Sequence, residues 1–89
     1  MARVKVKLPV GITYPHEMPD VELEAATVRE ALERIVALEE RLQRRVFTPD
    51  GGFATAVFVN GMSAKRLGGM DTTLVDGDVV ALMPPIAGG

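Results

Sequence analysis

The stretch that decides the fold is TVREALERIVAL, residues 27–38. Its apolar residues recur at the spacing of one helix face, and the same face extends to Leu42. The apolar positions on that face are Val28, Ala31, Leu32, Ile35, Leu38 and Leu42. Thr27 and Glu30 fit a capping box, in which a hydroxyl and a carboxylate satisfy free amide groups at a helix start. The pattern predicts one amphipathic helix over residues 28–38, with a bend near Glu39, which falls inside the apolar stripe.

Two strands are predicted before this helix. Apolar and charged residues alternate near the N-terminus and again over residues 21–25. A period of two is typical of strands with one buried face. We expect the two strands to pair antiparallel, with Lys5 and Lys7 opposite Glu22 and Glu24, because opposite charges favour that register.

Three further strands are predicted after the helix. The first covers residues 56–59, and Asn60-Gly61 is typical of a type I′ hairpin turn because both residues tolerate positive φ. A short return strand is expected over residues 62–67. Asp76-Gly77-Asp78 then predicts a turn into a last apolar strand over residues 79–83.

The order of these elements predicts an α+β fold, with a mixed sheet of about five strands and one main helix packed on one face. In the β-grasp version of this arrangement, the first and last strands pair in parallel at the centre of the sheet. Residues 11–19 contain two prolines and are expected to form a loop.

Composition excludes several classes of function. The chain has 89 residues, enough for one small domain, and a formal net charge of -2, which argues against nucleic-acid binding by bulk electrostatics. No apolar run is long enough to span a membrane, so we expect a cytoplasmic protein that binds neither nucleic acid nor membrane. Cysteine is absent and His16 is the single histidine, so no metal site is expected. A carrier, a binding module or a subunit is favoured over an enzyme.

The last six residues carry the most distinctive chemistry. They are Pro84, Pro85, Ile86, Ala87, Gly88 and Gly89. Two consecutive prolines end a strand and favour an extended backbone, and two glycines without side chains can enter a narrow channel. We expect residues 1–83 to form the domain and residues 84–89 a flexible tail that presents the α-carboxylate of Gly89. The alternative is a frayed, inert terminus.

Residues 76–89 resemble the C-terminal signature of the MoaD/ThiS family of ubiquitin-like sulfur carriers, which includes the small subunit of molybdopterin synthase. The resemblance extends to residues 27–32 and 57–61. It implies a β-grasp fold and a carrier, or non-catalytic subunit, that acts as a sulfur-donating co-substrate. It also implies that the catalytic groups belong to partner proteins, which agrees with the missing cysteine.

The same resemblance implies a reaction at Gly89. An E1-like adenylating enzyme uses ATP to activate its carboxylate, and the carrier itself binds no cofactor. A sulfur donor such as a cysteine desulfurase or a rhodanese-type protein then leaves a thiocarboxylate. The sulfur passes to an acceptor enzyme, for which the large subunit of molybdopterin synthase is the first expectation. The tail and partner-binding residues implied by the family are Gly88, Ala87, Ile86, Pro85, Pro84 and Met83.

Two questions stay open at the level of the sequence. The long segment 39–54 and the run Arg66-Leu67-Gly68-Gly69 also resemble sulfur carriers of cysteine synthesis and archaeal ubiquitin-like modifiers. The sulfur acceptor can therefore belong to cysteine or thiamine biosynthesis or to tRNA thiolation, or the chain can be a modifier conjugated to proteins through Gly89. Met83 either docks on partner enzymes or points into the core.

Overall fold

Five strands and four helices are present in residues 1–14 and 18–83, which are the residues that the computed structural model describes. In chain order they are β1 (Ala2–Lys7), α1 (Val10–Thr13), β2 (Val21–Ala25), α2 (Val28–Leu38), α3 (Gln43–Val46), β3 (Ala56–Val59), β4 (Met62–Ser63), α4 (Ala64–Leu67) and β5 (Val79–Met83). Two short 3-10 turns, Glu40–Leu42 and Gly69–Asp71, complete the set.

The strands form one mixed sheet in the order β2-β1-β5-β3-β4. Strands β1 and β5 pair in parallel at its centre, and the other neighbouring pairs are antiparallel. The apolar face of α2 is buried against one face of the sheet. This is the β-grasp, ubiquitin-like fold, and both the α+β class and the parallel central pair are confirmed.

The bounds of α2 are those predicted, and its start is capped as expected. The Thr27 hydroxyl accepts a hydrogen bond from the Glu30 amide at 3.3 Å. The Glu30 carboxylate accepts one from the Ala26 amide at 2.9 Å, one residue earlier than in a standard capping box. Both bonds satisfy amide groups near the helix start, which fixes where the helix begins.

The end of α2 differs from the predicted apolar stripe. Glu39 adopts an extended backbone, and the 3-10 turn that follows places Leu42 in the core, fully buried. Leu38 was expected on the buried face, but 63% of it is exposed. The prediction for Leu38 is wrong because the helix ends there, beside the edge strand β2 rather than over the sheet.

Three other predictions need correction. Helix α1 covers residues 10–13 and so overlaps the segment 11–19 that was expected to be a loop, and its Ile12 side chain is buried. The expected strand over residues 62–67 is only β4, followed by α4, whose Ala64 is buried in the core. In the β1–β2 pair, Lys5 lies opposite Glu22 as expected, but Glu24 lies opposite Arg3 rather than Lys7. The observed register is offset by two residues from the antiparallel register that would place both lysines opposite both glutamates.

The loop after α3 is held by side-chain hydrogen bonds. The Thr48 hydroxyl donates to the Asp50 carboxylate, and the Gly52 amide donates to the Thr48 oxygen at 2.8 Å and to Asp50 at 3.3 Å. The Thr48 hydrogen bond is the main cause that lowers the pKa of Asp50 below its usual value, and the Gly52 amide adds to it.

We therefore expect Thr48→Val to raise the pKa of Asp50 toward the ordinary aspartate value, measured by NMR titration of its carboxyl carbon. Because the folded-state pKa is depressed, the contribution of this group to stability is complete above the unfolded-state pKa and is lost as the pH falls through the folded-state pKa. A titration of Asp50 that does not change in the variant contradicts this assignment. Asp71, which lies in the separate 3-10 turn Gly69–Asp71, is the control carboxylate.

Candidate partner-binding site at the end of strand β5

Of the seven residues predicted for the functional site, the structure describes Met83. The other six, residues 84–89, lie outside the described residues, so their roles and the division into a domain and a tail stay predictions. The described part of the site is strand β5, which leads to this segment, together with its surroundings.

A hydrogen-bond network fixes the start of β5. The buried Asp78 carboxylate accepts hydrogen bonds from the Asn60 side-chain amide at 2.8 Å and from the Val75 backbone amide at 2.9 Å. The Asn60 side-chain oxygen in turn accepts from the Val79 amide at 2.8 Å. Asn60 has φ 50° and Gly61 has φ 84°, which confirms the predicted positive-φ turn. The turn between β3 and β4 and the turn before β5 thus hold each other in place.

A buried hydroxyl fixes the other end of β5. Met83 lies opposite Ala56 in the β3–β5 register. The Thr55 hydroxyl, in a residue that is only 4% exposed, donates a hydrogen bond to the Met83 carbonyl oxygen. Strand β5 therefore ends at the centre of the sheet, paired with β3 as far as Met83 and with β1 as far as Ala81.

Met83 is 52% exposed, which excludes the alternative that it points into the core. Val80 and Leu82 point inward instead and are buried, so alternate residues of β5 lie on the opposite, open face of the sheet. Apolar residues of β3 lie beside them on that face. We call this group the open-face patch, and it consists of Ala56, Phe58, Val79, Ala81 and Met83.

The charges on the open face form rows parallel to the strands. Glu22 and Glu24 of β2 lie beside the cationic side chains of β1, and that cationic row lies beside the open-face patch. The cations are Arg3, Lys5 and Lys7. A partner that covers the end of β5 therefore meets an apolar surface bordered on one side by positive charge.

Arg41 and Arg45 act as braces for α1, a role that sequence reasoning missed. Arg41 donates to the Thr13 carbonyl at 3.0 Å, and Arg45 donates to the Ile12 carbonyl at 2.9 Å and to that of Tyr14. Cationic side chains satisfy free carbonyl groups at the end of a helix, here that of α1. Because α1 contacts β5, the braces support the same end of the sheet as Met83.

Within residues 1–14 and 18–83, no group of three or more His, Cys, Asp or Glu side chains is arranged to hold a metal ion. In the same part of the chain, the helices are all too short or too polar to cross a bilayer. The arrangement around β5 is suited to presenting a chain segment to another protein, since it combines a fixed strand end with an apolar surface.

Fold and site define a class, the ubiquitin-like β-grasp proteins whose last strand ends at the centre of the sheet. The chain belongs to the ThiS family, whose model matches residues 12–89. It is 28% identical over 88 residues to an Archaeoglobus fulgidus protein whose name describes it as a candidate sulfur carrier protein, covering 97% of this chain and 98% of that one.

Solved structures agree with this family. Small archaeal modifier protein 1 of Methanosarcina acetivorans has a TM-score of 0.85 at 26% identity, covering 100% of this chain and 98% of that one. A chain from the BexX/CysO complex of Amycolatopsis orientalis has a TM-score of 0.83 at 26% identity, covering 97% and 99%. A chain from the complex of subunits 1 and 2 of the molybdopterin-converting factor of Helicobacter pylori has a TM-score of 0.63 at 25% identity, covering 98% and 99%. The chain is thus a member of a family of ubiquitin-like sulfur carriers, and two of these relatives were solved as complexes.

Proposed function

We propose that this protein carries sulfur as a thiocarboxylate on Gly89, formed after an E1-like enzyme adenylates the Gly89 carboxylate. The observation that carries the proposal is that the ThiS family model matches through residue 89 and so includes the Gly88-Gly89 segment. The open-face patch along β5 supports it, because an activating enzyme needs a surface to bind near the reacting residue, and the patch ends at the exposed Met83.

The chemistry proceeds in three steps, with every catalytic group on a partner. A carboxylate oxygen of Gly89 attacks the α-phosphorus of ATP, and pyrophosphate leaves. A persulfide sulfur on a donor, such as a cysteine desulfurase or a rhodanese-type protein, then attacks the Gly89 carbonyl carbon, and AMP leaves. A thiol attacks the donor-side sulfur of the resulting acyl disulfide, which releases the thiocarboxylate and leaves a disulfide. Adenylation is needed because a free carboxylate has no good leaving group.

The carrier's own part is to present the Gly89 carboxylate and to dock on its partner enzymes. Its sequence contains no cysteine and one histidine, so it supplies neither a persulfide nor a Cys-His catalytic pair. The open-face patch supplies apolar area whose burial favours association by about 25 cal/mol per Å² before the costs of binding. The ATP belongs to the activating enzyme, and no resident cofactor is proposed for the carrier.

The acceptor is proposed from relatives. A large subunit of the molybdopterin synthase type is one candidate, supported by the similarity to a chain of the Helicobacter pylori complex. The other candidate is a partner of the kind that CysO has in the BexX/CysO complex of Amycolatopsis orientalis. It is favoured because the chain from that complex has a TM-score of 0.83, against 0.63 for the chain from the Helicobacter pylori complex. Incubating the thiocarboxylated chain with each purified acceptor enzyme, and measuring transfer of labelled sulfur, separates the two.

The direct test of the proposal is the intact mass of the chain isolated from its native host. We expect a fraction in which one oxygen is replaced by sulfur, and fragmentation should place that change on Gly89. Purified activating enzyme with ATP should also give an acyl adenylate on the same residue. The proposal fails if the native protein carries no sulfur at Gly89 and the activating enzyme yields no adenylate.

We expect Met83→Lys to weaken binding to the activating enzyme by about 30-fold, which corresponds to about 2 kcal/mol. The substitution places an unpaired charge in the open-face patch, where the partner is proposed to exclude water. The matched control is Met62→Lys, because Met62 is a similarly exposed methionine, 59% against 52%, on the edge strand β4. Binding is measured by calorimetry, and equal losses in the two variants contradict docking on the patch.

A second candidate function is favoured by the similarity to small archaeal modifier protein 1. In that case the activated Gly89 carbonyl is attacked by a lysine amine of a target protein, AMP leaves, and an isopeptide bond forms. Covalent adducts of high mass, recovered from the native host under denaturing conditions and carrying Gly89 on a lysine, support this function. A pool that contains free thiocarboxylate and no such adducts supports the carrier function alone.

A further inference from the structure

The edge of the sheet formed by β2 has unused backbone groups. The Lys5 amide donates to the Asp78 carbonyl at 3.0 Å, so Lys5 turns its backbone toward β5 and away from β2. In an antiparallel pair, residues opposite each other either both bond across the pair or both turn away. Glu22 lies opposite Lys5, and Glu24 lies opposite Arg3. The second pair is two residues from the first along each strand, so its backbone groups have the same orientation. Both glutamates therefore direct their N–H and C=O groups to the outer edge, where no strand of the described residues pairs with them.

An apolar groove of about 310 Å³ runs beside this edge. It lies between β2 and the end of α2, and it is lined by Val21, Glu22, Leu23, Arg34, Ala37 and Leu38. Leu38 was predicted to lie on the buried face of α2, but it is more exposed than every other described leucine of the chain. A strand laid along β2 places alternate side chains in this groove and the others on the open face.

The charges of the edge select the kind of strand that fits. Among the described residues, no cationic nitrogen lies within 4.0 Å of the Glu22 or Glu24 carboxylate. Both carboxylates are on the open face, with cations of β1 on one side and the free edge on the other. A strand with basic residues at its open-face positions would pair with both of them. A second copy of this chain, pairing β2 with β2, would instead place glutamates opposite glutamates, which is unfavourable.

We propose that the β2 edge and its groove bind an extended segment of a partner protein as a sixth strand, with basic residues alternating with apolar ones. The backbone supplies the pairing, the groove takes the apolar side chains, and Glu22 and Glu24 take the basic ones. This binding is independent of the reaction proposed for Gly89, because β2 and the β5 strand that leads to Gly89 are separated in the sheet by β1.

The first test uses a short capped peptide in which lysine and valine alternate, titrated into the isotope-labelled full chain. We expect saturable NMR shifts of the β2 amides and of the Leu38 methyl groups. A peptide with glutamate in place of lysine should bind more weakly, by a factor of about five or greater. The proposal is overturned if the lysine peptide gives no saturable shift at β2, or if the two peptides bind equally.

The second test asks whether the peptide adds as a strand. Two versions of the lysine peptide carry N-methyl groups, on the lysine amides in one and on the valine amides in the other. Only one set of amides can face β2, so one version should lose binding while the other keeps it. Equal behaviour of the two versions overturns strand addition.

The third test uses matched variants of the chain. Glu22→Gln with Glu24→Gln should weaken the lysine peptide about fivefold. Glu33→Gln with Glu40→Gln removes the same charge from exposed positions outside the groove and should leave binding unchanged. Equal losses in both pairs of variants mean general charge attraction and overturn the proposal, as does self-association through β2 seen by sedimentation.

A final variant separates this inference from the proposed function. Removing Gly88 and Gly89 should leave peptide binding at β2 unchanged, since neither residue takes part. If the truncated chain keeps the peptide but lacks adenylation, both proposals stand. If the truncated chain loses the peptide, the β2 proposal fails whatever happens at Gly89.

Discussion

Removing Gly88 and Gly89 will abolish adenylation by the activating enzyme while the fold is retained. The described core residues all lie between Ala2 and Leu82, so the truncation removes none of them. The terminal carboxylate that accepts the adenylyl group, however, is displaced by two residues from the position proposed to align with ATP. The measurement is release of pyrophosphate, with thermal unfolding of the truncated chain as the check on its fold.

A full-length control tests whether the glycines matter for their shape as well as for their reach. Gly88→Ala with Gly89→Ala keeps the length and the terminal carboxylate but adds two methyl groups to a segment proposed to enter a narrow channel. We expect adenylation to fall by about 100-fold, the scale of a misplacement of about 1 Å at a reacting centre. Adenylation of the truncated chain at the wild-type rate would contradict the role of Gly89 altogether.

The elements that the sequence predicted well are those whose pattern is local. The helix α2 carries its own cap at Thr27 and its own apolar face, and its predicted bounds are those observed. Strand β5 follows a turn of Asp and Gly residues and ends before two prolines, so both ends are marked by adjacent residues. The type I′ turn at Asn60-Gly61 follows for the same reason.

The elements that could not be predicted from the sequence depend on residues that are distant along the chain. Helix α1 is one turn long, and its free carbonyl groups accept hydrogen bonds from Arg41 and Arg45, about 30 positions away along the chain. No local pattern in residues 10–13 encodes those bonds. Likewise, the position of Leu38 is decided by where the helix meets β2 rather than by its place in the apolar stripe.

The surroundings of the site also depend on contacts that the local sequence pattern does not show. The run from Val79 to Met83 is apolar at every position, so its sequence carries no alternation and could not say which side chains face the core. The open-face patch exists only once β3 is placed beside β5, because Phe58 and Ala56 come from a different part of the chain. Thr55 had no motif to mark it, yet its hydroxyl bonds the Met83 carbonyl.

Asp78→Ala will lower the free energy of unfolding by about 2–3 kcal/mol, because it leaves the Asn60 side-chain amide and the Val75 backbone amide without their acceptor. In a domain of this size, that corresponds to a fall in Tm of about 10–20 °C. The measurement is thermal or denaturant unfolding of the full chain. The matched control is Asp71→Ala, which removes only the exposed ion pair with Arg29 and should cost less than about 1 kcal/mol. Equal losses in the two variants contradict the role given to the network.

The same variant separates stability from function, because Asp78 comes just before β5 whereas Gly89, the residue proposed to react, comes after the end of β5. Below its lowered Tm, the Asp78→Ala chain keeps the Thr55 hydroxyl on the Met83 carbonyl, and every residue of the open-face patch is unchanged. We therefore expect it to be adenylated at Gly89 as well as the wild-type chain at temperatures where both are folded. A folded Asp78→Ala chain that is adenylated poorly would show that the activating enzyme also reads the turn before β5. The partner surface would then include that turn as well as the open-face patch.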